Sequence, residues 1–250
     1  TMKQLGSPEL AEHDAGSLSF HLLGRLPWED CQQLQRQLAE EAERAEKATI
    51  LLAEHTPHIT VGRQGSWDDI RYSARQLRSR QLKVSWVRRS GGTILHGPGQ
   101  LAILPVVPLG WCGWDLARLE LQVLTGIQHT LVELGYPSEL RPAEHGLWGR
   151  SGQLVASGLD NWHNASRFGA YLNVNPEMLD HGFIHSVGRR RGSHRSRTMS
   201  CLLAEQQRPV RMSSIRSALV AGLAAQLKIT DYHLFTGHPQ LELKEPGYVG

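Results

Sequence analysis

The chain of 250 residues is 40% hydrophobic and 20% charged, the composition of a folded globular protein rather than a disordered one. Its net charge of +3 and pI near 8.9 single out no partner, and no stretch approaches the ~20 apolar residues that span a bilayer. The opening segment TMKQLGSPELAEHDAG lacks a secretory apolar core; the expectation is a cytoplasmic protein with no membrane partner. Cys31, Cys112 and Cys201 are odd in number and widely spaced, which predicts reduced thiols and neither a disulfide framework nor a metal site.

In chain order, Ser17 to Leu23 reads as a strand, and Pro27 opens a helix whose Cys31, Leu34, Leu38, Ala42 and Ala45 recur at helical spacing. Ala48 to Glu54 is a buried strand bounded by His55-Thr56-Pro57, and Ile59 to Val61 is a shorter one. A short helix near Ser73 to Arg80 leads into the alternating strand LKVSWVRR. A turn at Ser90-Gly91-Gly92 then suggests a hairpin into His96-Gly97-Pro98-Gly99 and the strand Gln100 to Val107.

Asp115 is a suitable N-cap for a long amphipathic helix through Leu134, stopped by Gly135 and Pro137. From Gly146 to Val174 the pattern is turn and strand, and a last helix from Ser214 to Leu227 is apolar enough to be largely buried. Strands grouped between separated helices predict an α+β fold with a mixed, largely antiparallel sheet. The expected organisation is one domain over 17–235, with an N-terminal extension at 1–16 and a C-terminal tail at 236–250. No dinucleotide or P-loop glycine pattern opens a helix, and no cofactor is expected.

The most informative segment is Arg89-Ser90-Gly91-Gly92-Thr93-Ile94-Leu95-His96-Gly97-Pro98-Gly99-Gln100. Paired glycines let a backbone approach a ligand closely and present its amides; ordinary turn chemistry is the competing reading, and His96 is either a site residue or a structural hydrogen-bonding one. The segment resembles the R-G-G-x-x-T-x-H-G-P-G-Q signature of the octanoyltransferase, or lipoate-protein ligase B, family. Arg89, Gly91 and His96 to Gln100 fall in register, and Ser90 and Ile94 depart. His55-Thr56-Pro57 with Thr60 and Gly62, Gly146 to Gly149, Gln153 to Leu159, and Gly169 to Asn175 resemble further family segments in the same order. The likeness spans about residues 18 to 230.

The resemblance implies a biotin/lipoate protein ligase-like fold, related to the class II synthetase core, and an acyltransferase of lipoate synthesis. It implies an octanoyl or lipoyl group as substrate, with acyl carrier protein and lipoyl-domain proteins as partners. Family chemistry passes the acyl group through a cysteine thioester assisted by a lysine. Here the lysine position is Gln153, the cysteine position falls without gaps on Val187, and the T-x-H-G histidine is Phe168. These replacements predict an impaired or altered reaction, with Cys201 as a substitute nucleophile, or Ser186 by a one-residue slip. An acyl-binding role without catalysis is the alternative. Arg89, Gly91, Gly92, His96, Gly97, Ala156, Gly158, Phe168 and Gly169 would frame the acyl slot. The basic cluster Arg189, Arg190, Arg191, His194, Arg195 and Arg197 would steer acidic carrier proteins. An ATP-using ligase is disfavoured by Gln153, and nucleic acid by the absence of a supporting motif.

Overall fold

The structure, a computed structural model, describes residues 18–45, 47–110, 113–185 and 199–242. Strand β1 (Leu18–Leu26) leads through Pro27 into α1 (Trp28–Ala45), which buries the stripe Cys31, Leu34, Leu38 and Ala42. Strands β2 (Ala48–His55) and β3 (His58–Val61) are separated by Thr56-Pro57. Helix α2 (Ala74–Ser79) starts at a reciprocal cap between Ser73 and Gln76, and β4 (Lys83–Trp86), β5 (Thr93–His96) and β6 (Gln100–Val106) follow. The Asp115 carboxylate caps α3 (Leu116–Glu133) by accepting from the Arg118 N–H at 2.7 Å. Next come β7 (Glu139–Arg141), β8 (Gly146–Trp148), β9 (Gln153–Trp162) and β10 (Ala165–Asn173). The described chain ends with α4 (Met178–His181), α5 (Leu202–Gln206), α6 (Met212–Gln226), β11 (Tyr232–Thr236) and α7 (Pro239–Glu242).

Eight strands form one sheet in the order β11-β1-β2-β6-β10-β9-β8-β7, parallel only at β11/β1 and β1/β2. This is the mixed, largely antiparallel α+β architecture expected. Helices cover both faces, so the central strands read as nearly continuous apolar runs such as ATILLA and LAILPVV rather than as alternating ones. Strand alternation still sorts the side chains. Ile50, Leu52, Leu101, Ile103, Ala170 and Leu172 pack toward α3 and α6, whereas Leu51, Ala53, Ala102, Leu104, Ala156 and Tyr171 pack toward α1.

A second sheet, in the order β4-β3-β5, corrects the hairpin expectation. β3 inserts between β4 and β5, parallel to the first and antiparallel to the second, so the Ser90–Gly92 turn crosses over a strand. Helix α6 is less buried than expected: it buries one stripe, Ile215, Leu219, Val220, Leu223 and Ala224, against α3. Strands β7 and β11 and the short α4, α5 and α7 were not anticipated. No helix among the described residues is long and apolar enough to cross a membrane.

Candidate functional site

The glycine turn sits against the exposed edge of β9, beyond the point where β8 ends. Ser90 N–H donates to the Leu159 carbonyl at 2.9 Å, and Leu159 N–H returns a bond to Ser90 Oγ at 3.0 Å. Two glycines make this approach possible. A Cβ on Gly158 would overlap the Ser90 carbonyl, and one on Gly91 would stand 2.5 Å from the Ser157 oxygen. Gly91 also has φ +80, which L side chains rarely adopt. The carbonyls of Arg89, Gly91 and Gly92 accept from the N–H groups of Arg63, Gln64 and Gly62. Among the described residues the Gly91 and Gly92 N–H groups have no such partner, and they are the donors this turn has to offer.

Arg89 is fully buried beneath the turn. Its guanidinium donates to the Thr60 carbonyl and hydroxyl at 3.2 and 2.8 Å and to the Ser90 carbonyl at 2.9 Å. Burial lowers its pKa to about 10. Arg89 thus fastens β3 to the turn. From Thr60 a chain of hydrogen bonds crosses the gap between the sheets. Thr60 Oγ1 meets His96 Nε2 at 2.8 Å, and His96 Nδ1 meets Gln100 Oε1 at 3.2 Å. The Gln100 amide donates to Leu95 and to Asn173 Oδ1, and the Asn173 amide donates to the Ser200 carbonyl. Because an amide oxygen only accepts, His96 carries its proton on Nδ1 and accepts the Thr60 hydroxyl at Nε2. Burial, reinforced by His55 and Arg89, holds its pKa well below 6.5. Both ring nitrogens are therefore occupied by protein groups, Thr60 on one side and Gln100 on the other.

Gly97 lies at the opposite end of β5 from the Gly91-Gly92 turn, where the Gln100 N–H bonds to its carbonyl. Ala156 and Gly158 pair across β9/β10 with Tyr171 and Gly169 on the face toward α1. Phe168 is buried at φ +66, with the Arg167 guanidinium 4.6 Å from its ring centroid. Gln153, read in the sequence as the family's lysine position, begins β9; its Nε2 donates to the Val155 carbonyl at 3.1 Å and lies 2.7 Å from where a Gly146 Cβ would be. The chain passes Ile184 beside Ile70 and is next described at Met199, which bridges Gln153. Buried Cys201 is the N-cap residue of α5. Ser186, Val187 and the basic cluster from Arg189 through Arg190, Arg191 and Arg195 to Arg197 lie outside the described residues. Cys31 is sealed in the core, where burial raises its thiol pKa to about 12.

Two features escaped the sequence reading. Tyr171 is buried on the face toward α1 with its ring 4.5 Å from that of His96, and its hydroxyl has no hydrogen-bond partner among the described residues. The second is a cluster on Glu120 of α3. Its carboxylate accepts from Ser157 Oγ at 2.6 Å, His145 Nδ1 at 3.0 Å and Ser90 Oγ at 3.3 Å. Burial pushes the Glu120 pKa up, but the hydrogen bonds from His145, Ser157 and Ser90 outweigh it and leave the carboxyl below its usual range. Glu120 lies 25 residues from His145 and 37 from Ser157, so only the fold reveals their meeting.

Comparison with known proteins accords with this fold. The lipoyl protein ligase A/B catalytic domain model matches residues 28–224. An octanoyltransferase of Chloroflexus aurantiacus is 30% identical over 176 residues, covering 69% of this chain and 79% of that protein. The bipartite lipoate protein ligase of Thermoplasma acidophilum superposes with a TM-score of 0.64 at 15% identity, covering 91% of this chain and 90% of that one. A lipoate-protein ligase A crystallised with ATP also gives 0.64 at 15% identity, covering 90% and 91%. The chain belongs to the lipoyl protein ligase A/B catalytic domain family.

Proposed function

We propose that this chain works in protein lipoylation, transferring an octanoyl or lipoyl group to a lysine of a lipoyl-domain protein, with acyl carrier protein as the octanoyl donor. The observation that carries the reading is the Gly91-Gly92 turn, which leaves two N–H groups beside β9 as donors for the oxyanion of an acyl carbonyl. The Chloroflexus relative is an octanoyltransferase, and the Thermoplasma ligase was solved in a study of that enzyme and its E2 lipoyl domain. Both support this substrate class. Ala156, Gly158, Phe168 and Gly169 would line the acyl side of the slot, while Arg89 and His96 hold its walls. Arg189, Arg190, Arg191 and Arg195 would draw acidic carrier proteins by long-range charge. The reaction runs in the cytoplasm, where Cys31 and Cys201 stay reduced.

The chemistry differs from the family's thioester route, because Gln153 cannot act as an amine and Val187 has no nucleophile. A second reading is acyl binding without turnover, favoured by the Gln153 amide being held on a strand carbonyl. Incubation with octanoyl-acyl carrier protein and a lipoyl domain separates the two. Transfer adds one octanoyl group to the domain; binding alone leaves the domain unchanged while the donor co-elutes with the chain.

A further inference from the structure

The loop after β3 is bound to the glycine turn along its length. Val87 N–H donates to the Val61 carbonyl at 2.9 Å and Arg63 N–H to the Arg89 carbonyl at 3.0 Å, so the β3/β4 ladder runs on into the turn. Gly65 then folds back over the end of the second sheet: a Cβ there would stand 2.9 Å from Val61 Cγ1 and 3.1 Å from the Gly92 backbone. Val61 pairs with Trp86, and strand alternation puts Arg88 on the same side as Trp86, away from buried Arg89. Trp67 follows Gly65 by two residues at the same strand end. Both indoles stand largely in solvent, Trp67 at 53% and Trp86 at 62% exposure. The surface around them is basic. Arg63, Arg71, Arg75, Arg78 and Arg88 are exposed and form no ion pair among the described residues. Asp68 and the buried Asp69 are the only acids in the sequence between positions 62 and 88.

Tryptophan and arginine are the residue types that carry most of the binding energy where proteins meet, and exposed apolar groups rimmed by charge mark such contacts. Unpaired arginines ask for an acidic partner surface. Reach decides which partner. A lysine carries its amine on a four-carbon stem, so a domain that offers a lysine to an acyl group at Gly91 and Gly92 must sit against the turn itself. A thioester donor on a long arm lets its carrier protein dock at a distance. The loop bearing Arg63 and Trp67 adjoins the turn, with Gly62, Arg63 and Gln64 donating to the carbonyls of Gly92, Arg89 and Gly91. We propose that the turn-side rim of the second sheet, centred on Arg63, Trp67, Trp86 and Arg88, docks the acidic surface around the target lysine of the acceptor domain. The identity of that partner rests on the acyl-transfer reading above. Arg71, Arg75 and Arg78 continue the basic segment and extend the field that draws the domain in.

The test measures binding of the full chain to an immobilised, unmodified lipoyl domain by surface plasmon resonance, and separately octanoyl transfer to that domain from octanoyl-acyl carrier protein. Trp86→Ala and the double variant Arg63→Glu/Arg88→Glu are expected to weaken binding about tenfold or more, the scale of hot-spot residues. Both should raise KM for the domain more than they lower kcat, with KM for the donor unchanged. Added salt should weaken wild-type binding more than that of the double variant. Arg208→Glu reverses one charge just beyond α5 and should bind like wild type; thermal unfolding of every variant separates lost contact from lost fold. No binding by wild type, binding unchanged in both rim variants, an equal loss in Arg208→Glu, or a raised KM for the donor in place of the domain would overturn the docking surface and leave acyl transfer standing. Binding that depends on Trp86 and the arginines without octanoyl transfer would support the docking surface and overturn the transfer reading alone.

Discussion

Replacing Tyr171 with phenylalanine should make this protein more stable. The hydroxyl is buried with no hydrogen-bond partner among the described residues, and burial raises its pKa, so it stays a protonated donor. An unsatisfied buried polar group costs about 1–3 kcal/mol. Phenylalanine removes that cost and keeps the ring against His96 at 4.5 Å, so a gain of about 1 kcal/mol or more is expected. For a chain of this size each kcal/mol moves Tm by roughly 2–4 °C. Tyr171→Ala should do the opposite, losing about 3–5 kcal/mol for the aromatic ring, partly offset by the same relief of the hydroxyl. The space it opens beside Ala156 and Gly169 should shift preference toward longer acyl groups. Differential scanning calorimetry of both variants, with acyl-chain competition on the alanine variant, reads these effects. If Tyr171→Phe melts below wild type, the hydroxyl has a partner in the fold and the reasoning fails.

Thr60→Val removes the hydroxyl joining Arg89 to His96 and leaves two buried groups short of a partner, so chemical denaturation should register a loss of about 2–4 kcal/mol. Gly158→Ala forces a Cβ into the Ser90 carbonyl; overpacking of this kind costs about 1–3 kcal/mol, and acyl transfer should fall further than stability does because the turn itself moves. Glu205 is buried, which raises its pKa, but hydrogen bonds from Ser151 and Arg150 hold it below the ordinary 4.5. A lowered folded pKa contributes stability that is complete above the unfolded value and is lost as pH falls through the folded one. Urea midpoints between pH 6 and 3 should therefore fall more steeply for wild type than for Glu205→Gln.

Much of the fold was readable because apolar runs and punctuation agreed. Pro27, Ser73, Asp115 and Gly135 mark helix ends, and the two-sided burial of β2 and β6 shows as unbroken apolar segments. The order of strands in the small sheet was not readable, since nothing in the Ser90–Gly92 turn reports that β3 inserts between its neighbours. Strand β11 pairs in parallel with β1 across more than 200 residues, a long-range contact without a local signal. At the site, motif spacing singled out Arg89, Gly91 and His96; it left the role of His96 open and gave no sign that the Arg89 guanidinium bonds Thr60. Glu120 and His145 carried no motif, because their chemistry exists only once α3 crosses the edge of β9.

The most direct test of acyl transfer is the intact mass of a lipoyl domain incubated with octanoyl-acyl carrier protein and this chain. The prediction is a domain carrying one hydroxylamine-stable octanoyl group. A domain left unmodified by this chain, under conditions where an active octanoyltransferase modifies it fully, would contradict the proposed transfer.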